Sequence, residues 1–89
     1  MDSYKRTVQR AGNEISLTAK EFSMLELMIT NKNRVLSRTY IAESVWGLNF
    51  DRGTNFIDVY VNYLRTKIDK GYDSKLIHTV IGMGYVLKE

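Results

Sequence analysis

The chain has 89 residues, 44% of them hydrophobic, with 13 lysines and arginines against 10 acidic residues, a formal charge of +3 and no cysteine. One domain (1–89), burying about 60% of its unfolded surface in a single core, is the expectation; the absence of any run near ~18 apolar residues, of a leader-like segment in Met1 to Arg10 and of a disulfide framework argues against a membrane span or secretion and makes the cytoplasm the default location. The charge excess does not by itself identify nucleic acid, but Arg65, Lys67, Lys70 and Lys75 outnumber Asp69 and Asp73 late in the chain, and Lys5, Arg6 and Arg10 form a second basic patch near its start.

Residues 4–10 and 14–17 are rich in strand formers and read as a hairpin joined by AGNE. Thr18-Ala-Lys-Glu21 is a capping box, in which hydroxyl and carboxylate each satisfy the other residue's amide, so a first helix is predicted from Ala19 to Thr30. Phe22, Leu25, Met28 and Ile29 share its apolar face, and Asn31 and Asn33 supply residues that tolerate left-handed backbone at its end. Val35 and Leu36 suffice for a single bridging strand. Ser37 can cap a second helix with Ile41, Ala42 and Val45 inward and Trp46 just before the terminator Gly47. The polar stretch from Leu48 to Thr54 reads as a loop, with Thr54 or Asn55 capping a third helix over residues 55–70.

On that helix Ile57, Val61, Leu64 and Ile68 form one narrow stripe and must face the core. The opposite face then carries Asn55, Val59, Asn62 and Thr66, with Tyr63 and Lys70 toward its edge. Asp58 and Arg65 lie on one flank, where they could form an internal ion pair, and Phe56, Tyr60 and Lys67 lie on the other. Residues 76–80 and 84–88 alternate about Ile81-Gly82-Met83-Gly84, a second hairpin whose glycines permit positive φ.

A polar helix face beside a projecting hairpin suits a DNA groove. Asn62 can bond adenine in bidentate fashion, Thr66 is a versatile hydroxyl and Val59 can pack on a thymine methyl, with Asn55 and Tyr63 beside them in the candidate base-reading set. Arg65, Lys67, Lys70, Tyr60 and Thr79 are candidates for phosphate contact, joined by Arg38; Trp46 reads first as a core residue and only secondarily as a phosphate contact through its indole N–H. Enzymatic chemistry finds no footing: there is no nucleophile–base set and no GxxxxGK loop, and the lone His78 reads as a strand residue, leaving no ligand set for a metal and no cofactor.

The segments LTAKEF (17–22), VLSR (35–38), VWG (45–47), IDVYVNYLRTKID (57–69) and LIHTVIGMGY (76–85), in this order and spacing, resemble the effector domain of the OmpR/PhoB family of bacterial two-component response regulators. NFDRGTNFIDV and KLIHTV look most like the branch that responds to heavy metals such as copper. The resemblance implies an α+β winged helix-turn-helix: an N-terminal antiparallel sheet, three helices with the third in the major groove, and a C-terminal wing at Ile81, Gly82, Met83 and Gly84. It also implies a preceding receiver domain in cis, direct-repeat half-sites bound head to tail by a dimer that is monomeric when isolated, and an RNA polymerase contact at Leu48, Asn49, Phe50, Asp51 and Arg52. Two departures stand out. Asn62 and Tyr63 replace the adjacent arginines of many relatives, shifting expected readout from guanine toward adenine or thymine, and Ile81 replaces a common wing arginine, which predicts weaker wing anchoring in a narrow minor groove. The rival reading is a protein-interaction module in which Phe56, Tyr60, Tyr63, Met83 and Tyr85 form an aromatic docking patch; RNA is a third, disfavoured by its narrow major groove.

Overall fold

The computed structural model describes residues 4–47 and 55–89. Strands β1 (Thr7–Arg10) and β2 (Asn13–Ser16) are followed by helices α1 (Ala19–Thr30), α2 (Arg38–Trp46) and α3 (Asn55–Ile68), and then by strands β3 (Ile77–Val80) and β4 (Gly84–Leu87). This is the α+β order expected from the sequence.

The first hairpin is tighter than predicted. Ala11 and Gly12 hold φ of 52° and 81°, and two consecutive positive values make the two-residue turn whose twist matches its strands, leaving Asn13 and Glu14 inside β2. Residues 4–6 form a turn rather than strand, with Arg6 itself at φ 55°.

Helix α1 begins and ends where its capping signals put it. The Glu21 amide donates to Thr18 Oγ1 at 3.3 Å and the Thr18 amide to Glu21 Oε1 at 2.9 Å. Its buried face differs by a rotation: Phe22, Leu25 and Met28 are inside, but Met24 joins them at 0% exposure while Ile29 lies 42% exposed. Because α1 packs against α2, α3 and β4 together, its apolar arc is centred between residues 24 and 25 rather than drifting toward 29. Beyond it, Asn33 takes the left-handed conformation at φ 71°, whereas the C-cap Asn31 stays at −112° and its side-chain amide donates to the Leu27 carbonyl at 2.9 Å.

Leu36 forms the anticipated bridge, its amide donating to the Tyr85 carbonyl at 2.8 Å and its carbonyl accepting from the Tyr85 amide at 3.0 Å. Ser37 then caps α2, which buries Ile41 and Ala42, leaves Val45 half-buried and stops at Gly47, φ 76°. Helix α3 buries Ile57, Val61, Leu64 and Ile68 at 0–3% exposure. It ends two residues before the expected position 70. The carboxylate of Asp69 turns aside to accept the amides of Leu76 (3.0 Å) and Ile77 (3.1 Å), and terminal carbonyls of the helix are taken by Arg10, which donates to Ile68, and by Lys75 Nζ, 2.8 Å from the Asp69 carbonyl.

That arrangement corrects the picture of Arg10 as part of a surface basic patch. Its guanidinium lies 2.8 Å from Asp69 Oδ1 and 4.1 Å from the Tyr72 ring, also donates to the Ser74 carbonyl, and thereby fastens β1 to the root of the second hairpin.

In that hairpin β3 pairs with β4 in the register Ile77↔Leu87 to Val80↔Gly84. Strand β4 does not alternate: all four residues are buried, since it lies between β3 and the Leu36 bridge and against α1. Gly84, at φ 145°, is the tightest point. A Cβ there would stand 2.0 Å from the Leu36 carbonyl oxygen, whereas Gly82, at φ 77°, has nothing within 4 Å. We therefore predict that Gly84→Ala costs about 2–5 kcal/mol, combining a strained φ with overpacking against backbone, while Gly82→Ala costs only about 1–2 kcal/mol from its φ alone; urea denaturation of both variants measures the difference.

Candidate nucleic-acid interface

The aliphatic stripe of α3 orients everything on its other sides. Asn55, Val59, Asn62, Tyr63 and Thr66 are all exposed, Val59 at 46% and Tyr63 at 53%, so the five candidate base readers share one solvent-facing strip. Thr66 Oγ1 donates to the Asn62 carbonyl at 2.8 Å, a local bond that turns its hydroxyl along the helix.

One flank of α3 meets the second hairpin. Arg65 donates to Thr79 Oγ1 and holds its guanidinium 5.3 Å from the Tyr85 ring, so helix and wing are joined by two of the predicted phosphate ligands. Between them runs an open groove to which Arg65, Thr66, Lys70, Lys75, His78 and Thr79 contribute, with Asp69 and Ile77 at its floor nearest the helix end. Lys70 reaches it from beyond the helix end. Lys75 and His78 were not among the sequence candidates, because a strand-root lysine and a lone histidine carry no local signal of facing a helix four turns long.

The Asp58–Arg65 ion pair entertained from the sequence is replaced by another. Asp58 Oδ1 accepts from Arg38 Nε at 2.7 Å and from the Tyr85 hydroxyl, with the Arg38 guanidinium 5.4 Å from the Tyr85 ring. Residues 38, 58 and 85 thus tie α2, α3 and β4 together at one carboxylate. The Tyr85 hydrogen bond lowers the pKa of Asp58; burial opposes this, and the hydrogen bond and charge of Arg38 and the charge of Arg65 reinforce it. Arg38 is accordingly a positioned residue whose guanidinium is only partly exposed.

On the other flank Trp46 is half-buried, its ring packed edge-on against Phe56 and Tyr60, both at 5.0 Å between centroids, and Tyr60 continues to Tyr63 at 5.8 Å. Lys67 points along this side to Glu21, 2.6 Å away, and is not brought to the groove with Arg65 and Lys70. Burial pushes the Glu21 carboxyl up, but the hydrogen bonds from Lys67 and Thr18 and the charge of Lys67 outweigh it and bring it below its ordinary value. The aromatic docking patch of the rival reading is broken up: Tyr85 is buried at 4% exposure, Phe56 and Tyr60 are half-buried, and Met83 sits on the wing. At the tip of that wing Ile81 is 93% and Met83 62% exposed, flanked by Gly82 and the pinned Gly84. The expected polymerase contacts Leu48, Asn49, Phe50, Asp51 and Arg52, and the potential cap Thr54, lie outside the described residues. No described helix is long and apolar enough to cross a membrane.

Residues 12–87 match the family model described as "Transcriptional regulatory protein, C terminal". The chain is 51% identical over 88 residues to the transcriptional regulatory protein PcoR of Escherichia coli, covering 99% of this chain and 39% of that protein. It is 49% identical over 89 residues to the response regulator MprA of Mycobacterium leprae, covering 100% and 39%. The chain thus spans about two fifths of the length of these relatives. Its fold superposes on the Klebsiella pneumoniae RstA DNA-binding domain, solved in complex with the RstA box, with a TM-score of 0.85 at 26% identity over 98% of this chain and 87% of that one.

The depressed carboxyls at Asp58 and Glu21 make stability depend on acid. Both hold protons less tightly folded than unfolded, so their contribution is complete above the ordinary carboxylate pKa of about 4 and disappears as pH falls through the lower folded values. Asp58→Asn should therefore be less stable than the parent at pH 7, with the gap narrowing below pH about 4; paired denaturant titrations from pH 2 to 7 would show it, and a gap constant with pH would rule it out.

Proposed function

The chain belongs to the family of transcriptional regulatory protein C-terminal domains, and on that premise we propose that it is the sequence-specific DNA-binding effector domain of a two-component response regulator of the OmpR/PhoB type, with α3 reading the major groove. It recognises and does not catalyse. The observation that carries the reading is the division of α3: four aliphatic side chains at 0–3% exposure on one side and Asn55, Val59, Asn62, Tyr63 and Thr66 exposed on the other. Such a strip supplies amide, hydroxyl and methyl groups to base edges in a groove wide enough for a helix.

Around the strip, Arg65, Lys70 and Thr79 flank the groove between helix and wing and supply the positive charge and hydroxyl that hold phosphates, with Tyr60, Arg38 and the Trp46 indole as outer contacts. Lys67 contributes there only by leaving Glu21. Asn62 and Tyr63 direct readout toward adenine or thymine rather than guanine. In the whole protein a receiver domain in cis controls the effector, two copies bind direct-repeat half-sites head to tail, and residues 48–52 contact RNA polymerase in the cytoplasm. The response regulator name borne by MprA and the DNA-bound state of RstA support this assignment.

Amide NMR shifts recorded while titrating a duplex selected by this domain from a random pool, against a scrambled duplex, test the reading. Shifts centred on residues 55–70 and 79–84, larger for the selected duplex, are expected; no movement with either duplex, at low or at moderate salt, would overturn it. Asn62→Ala should reduce discrimination between the two duplexes by about 5- to 150-fold, the equivalent of ~1–3 kcal/mol per bidentate base contact. Arg65→Ala should weaken both nearly equally and lower the log-log salt slope by about 0.9 if one phosphate is lost.

A further inference from the structure

Two large apolar side chains stand at the tip of the wing, Ile81 at 93% exposure and Met83 at 62%. Neither serves the core. From Thr79 to Tyr85 the sequence Thr-Val-Ile-Gly-Met-Gly-Tyr has no charged residue, so the tip cannot act as a cationic contact to phosphate or to a narrow groove. It is nonetheless stiffly mounted. The Met83 amide closes the turn onto the Val80 carbonyl at 3.0 Å, Gly84 lies against the Leu36 carbonyl, and Arg65 ties Thr79 to α3.

The mounting determines what the tip meets. The groove between α3 and the wing carries Arg65, Lys70 and Lys75 against one carboxylate, Asp69, which is itself paired with Arg10, and so suits a polyanion rather than an apolar partner. Ile81 follows Thr79 by two residues, about 7 Å further on where strand β3 gives way to its turn, so the tip projects just beyond any sugar-phosphate backbone held in that groove. An uncharged, branched side chain arriving there has base edges and stacking surfaces to bury against. Apolar residues on rigid projections part base steps from the minor groove, and pyrimidine–purine steps open most easily.

We infer that Ile81, supported by Met83, is an apolar wedge that inserts into the minor groove beside the half-site and unstacks a flexible base step. This rests on the DNA-binding reading given above. It makes the wing a specificity element that selects deformable sequence, TA or CA/TG, through a contact that does not release counterions.

The test uses this chain and a duplex selected by it from a random pool, with 2-aminopurine placed at successive flanking steps. Binding should raise the fluorescence at one pyrimidine–purine step, the mark of unstacking. The Ile81→Ser, Met83→Ser double variant alters exposed positions only; with its thermal melt unchanged, it should lose that rise and bind about tenfold more weakly, as expected for one apolar side chain no longer buried, at an unaltered salt slope. Ile81→Arg should steepen the slope by about 0.9 and also lose the rise. An unchanged rise in the double variant, or no rise in the parent while Asn62→Ala still alters discrimination, overturns the wedge and leaves helix readout standing. Loss of a concentration-dependent self-association in the double variant, with DNA affinity intact, overturns it in favour of a second copy. No amide shift anywhere on α3 overturns both readings.

Discussion

Burial of Ile57, Val61, Leu64 and Ile68 sets the orientation of α3, and the rest of the interface follows from it. A helix whose stripe is held at this depth cannot rotate by one residue without lifting an aliphatic side chain into water, at a cost of about 1.5–3 kcal/mol for each one exposed. The opposite strip is therefore presented at one angle. Its amide and hydroxyl groups stay on the outer side of the helix, because none is drawn into the core by a competing contact.

Two carboxylates convert this oriented helix into a surface with a wing. Near the start of α3, Asp58 holds Arg38 from α2 and the Tyr85 hydroxyl from β4; just past its end, Asp69 holds Arg10 from β1 and the amides that begin β3. Ion pairs of this kind contribute less to net stability than their attraction suggests, since desolvation offsets much of it. Their value here is geometric. Each carboxylate satisfies donors from two further elements, so the spacing between helix and hairpin is determined at both ends, and the Arg65–Thr79 contact lies between them.

Local chemistry was legible in the sequence and distant chemistry was not. The capping box at Thr18 and Glu21 marks the start of α1, Asn31 and Asn33 mark its end, and the 3.6-residue period picks out all four buried positions of α3, because each signal lies within a few residues of what it determines. Arg10 looks like surface charge in the sequence because its partner is 59 positions away, and Asp58 has Arg65 as its flank neighbour on the helix whereas Arg38 and Tyr85 reach it from other elements. Ile29 and Met24 exchanged roles for a related reason. Period alone cannot say which part of a broad apolar arc, here Phe22, Met24, Leu25, Met28 and Ile29, faces three neighbours at once. The burial of all of β4 likewise depends on Leu36, which arrives from a single bridging residue. Of the candidate site, the strip on α3 was visible in full, whereas the removal of Lys67 to Glu21 and the arrival of Lys75 and His78 at the groove required the tertiary fold.

Gly84 and its neighbours divide the wing into two parts with different freedom to vary. Where the hairpin meets Leu36 there is no room for even a methyl group, while three residues earlier Ile81 touches almost nothing. Changes at the tip, like changes along the outer strip of α3 other than at Tyr63, whose ring packs on Tyr60, leave the packing of the domain nearly untouched, so their effects on stability and on recognition are close to additive. On the proposed reading, a lineage carrying this scaffold can rewrite the address it reads one exposed side chain at a time without first acquiring a compensating mutation in the core. Closely similar folds can thereby diverge in their targets within the same genome, each duplicate drifting toward its own sites while remaining a folded protein throughout.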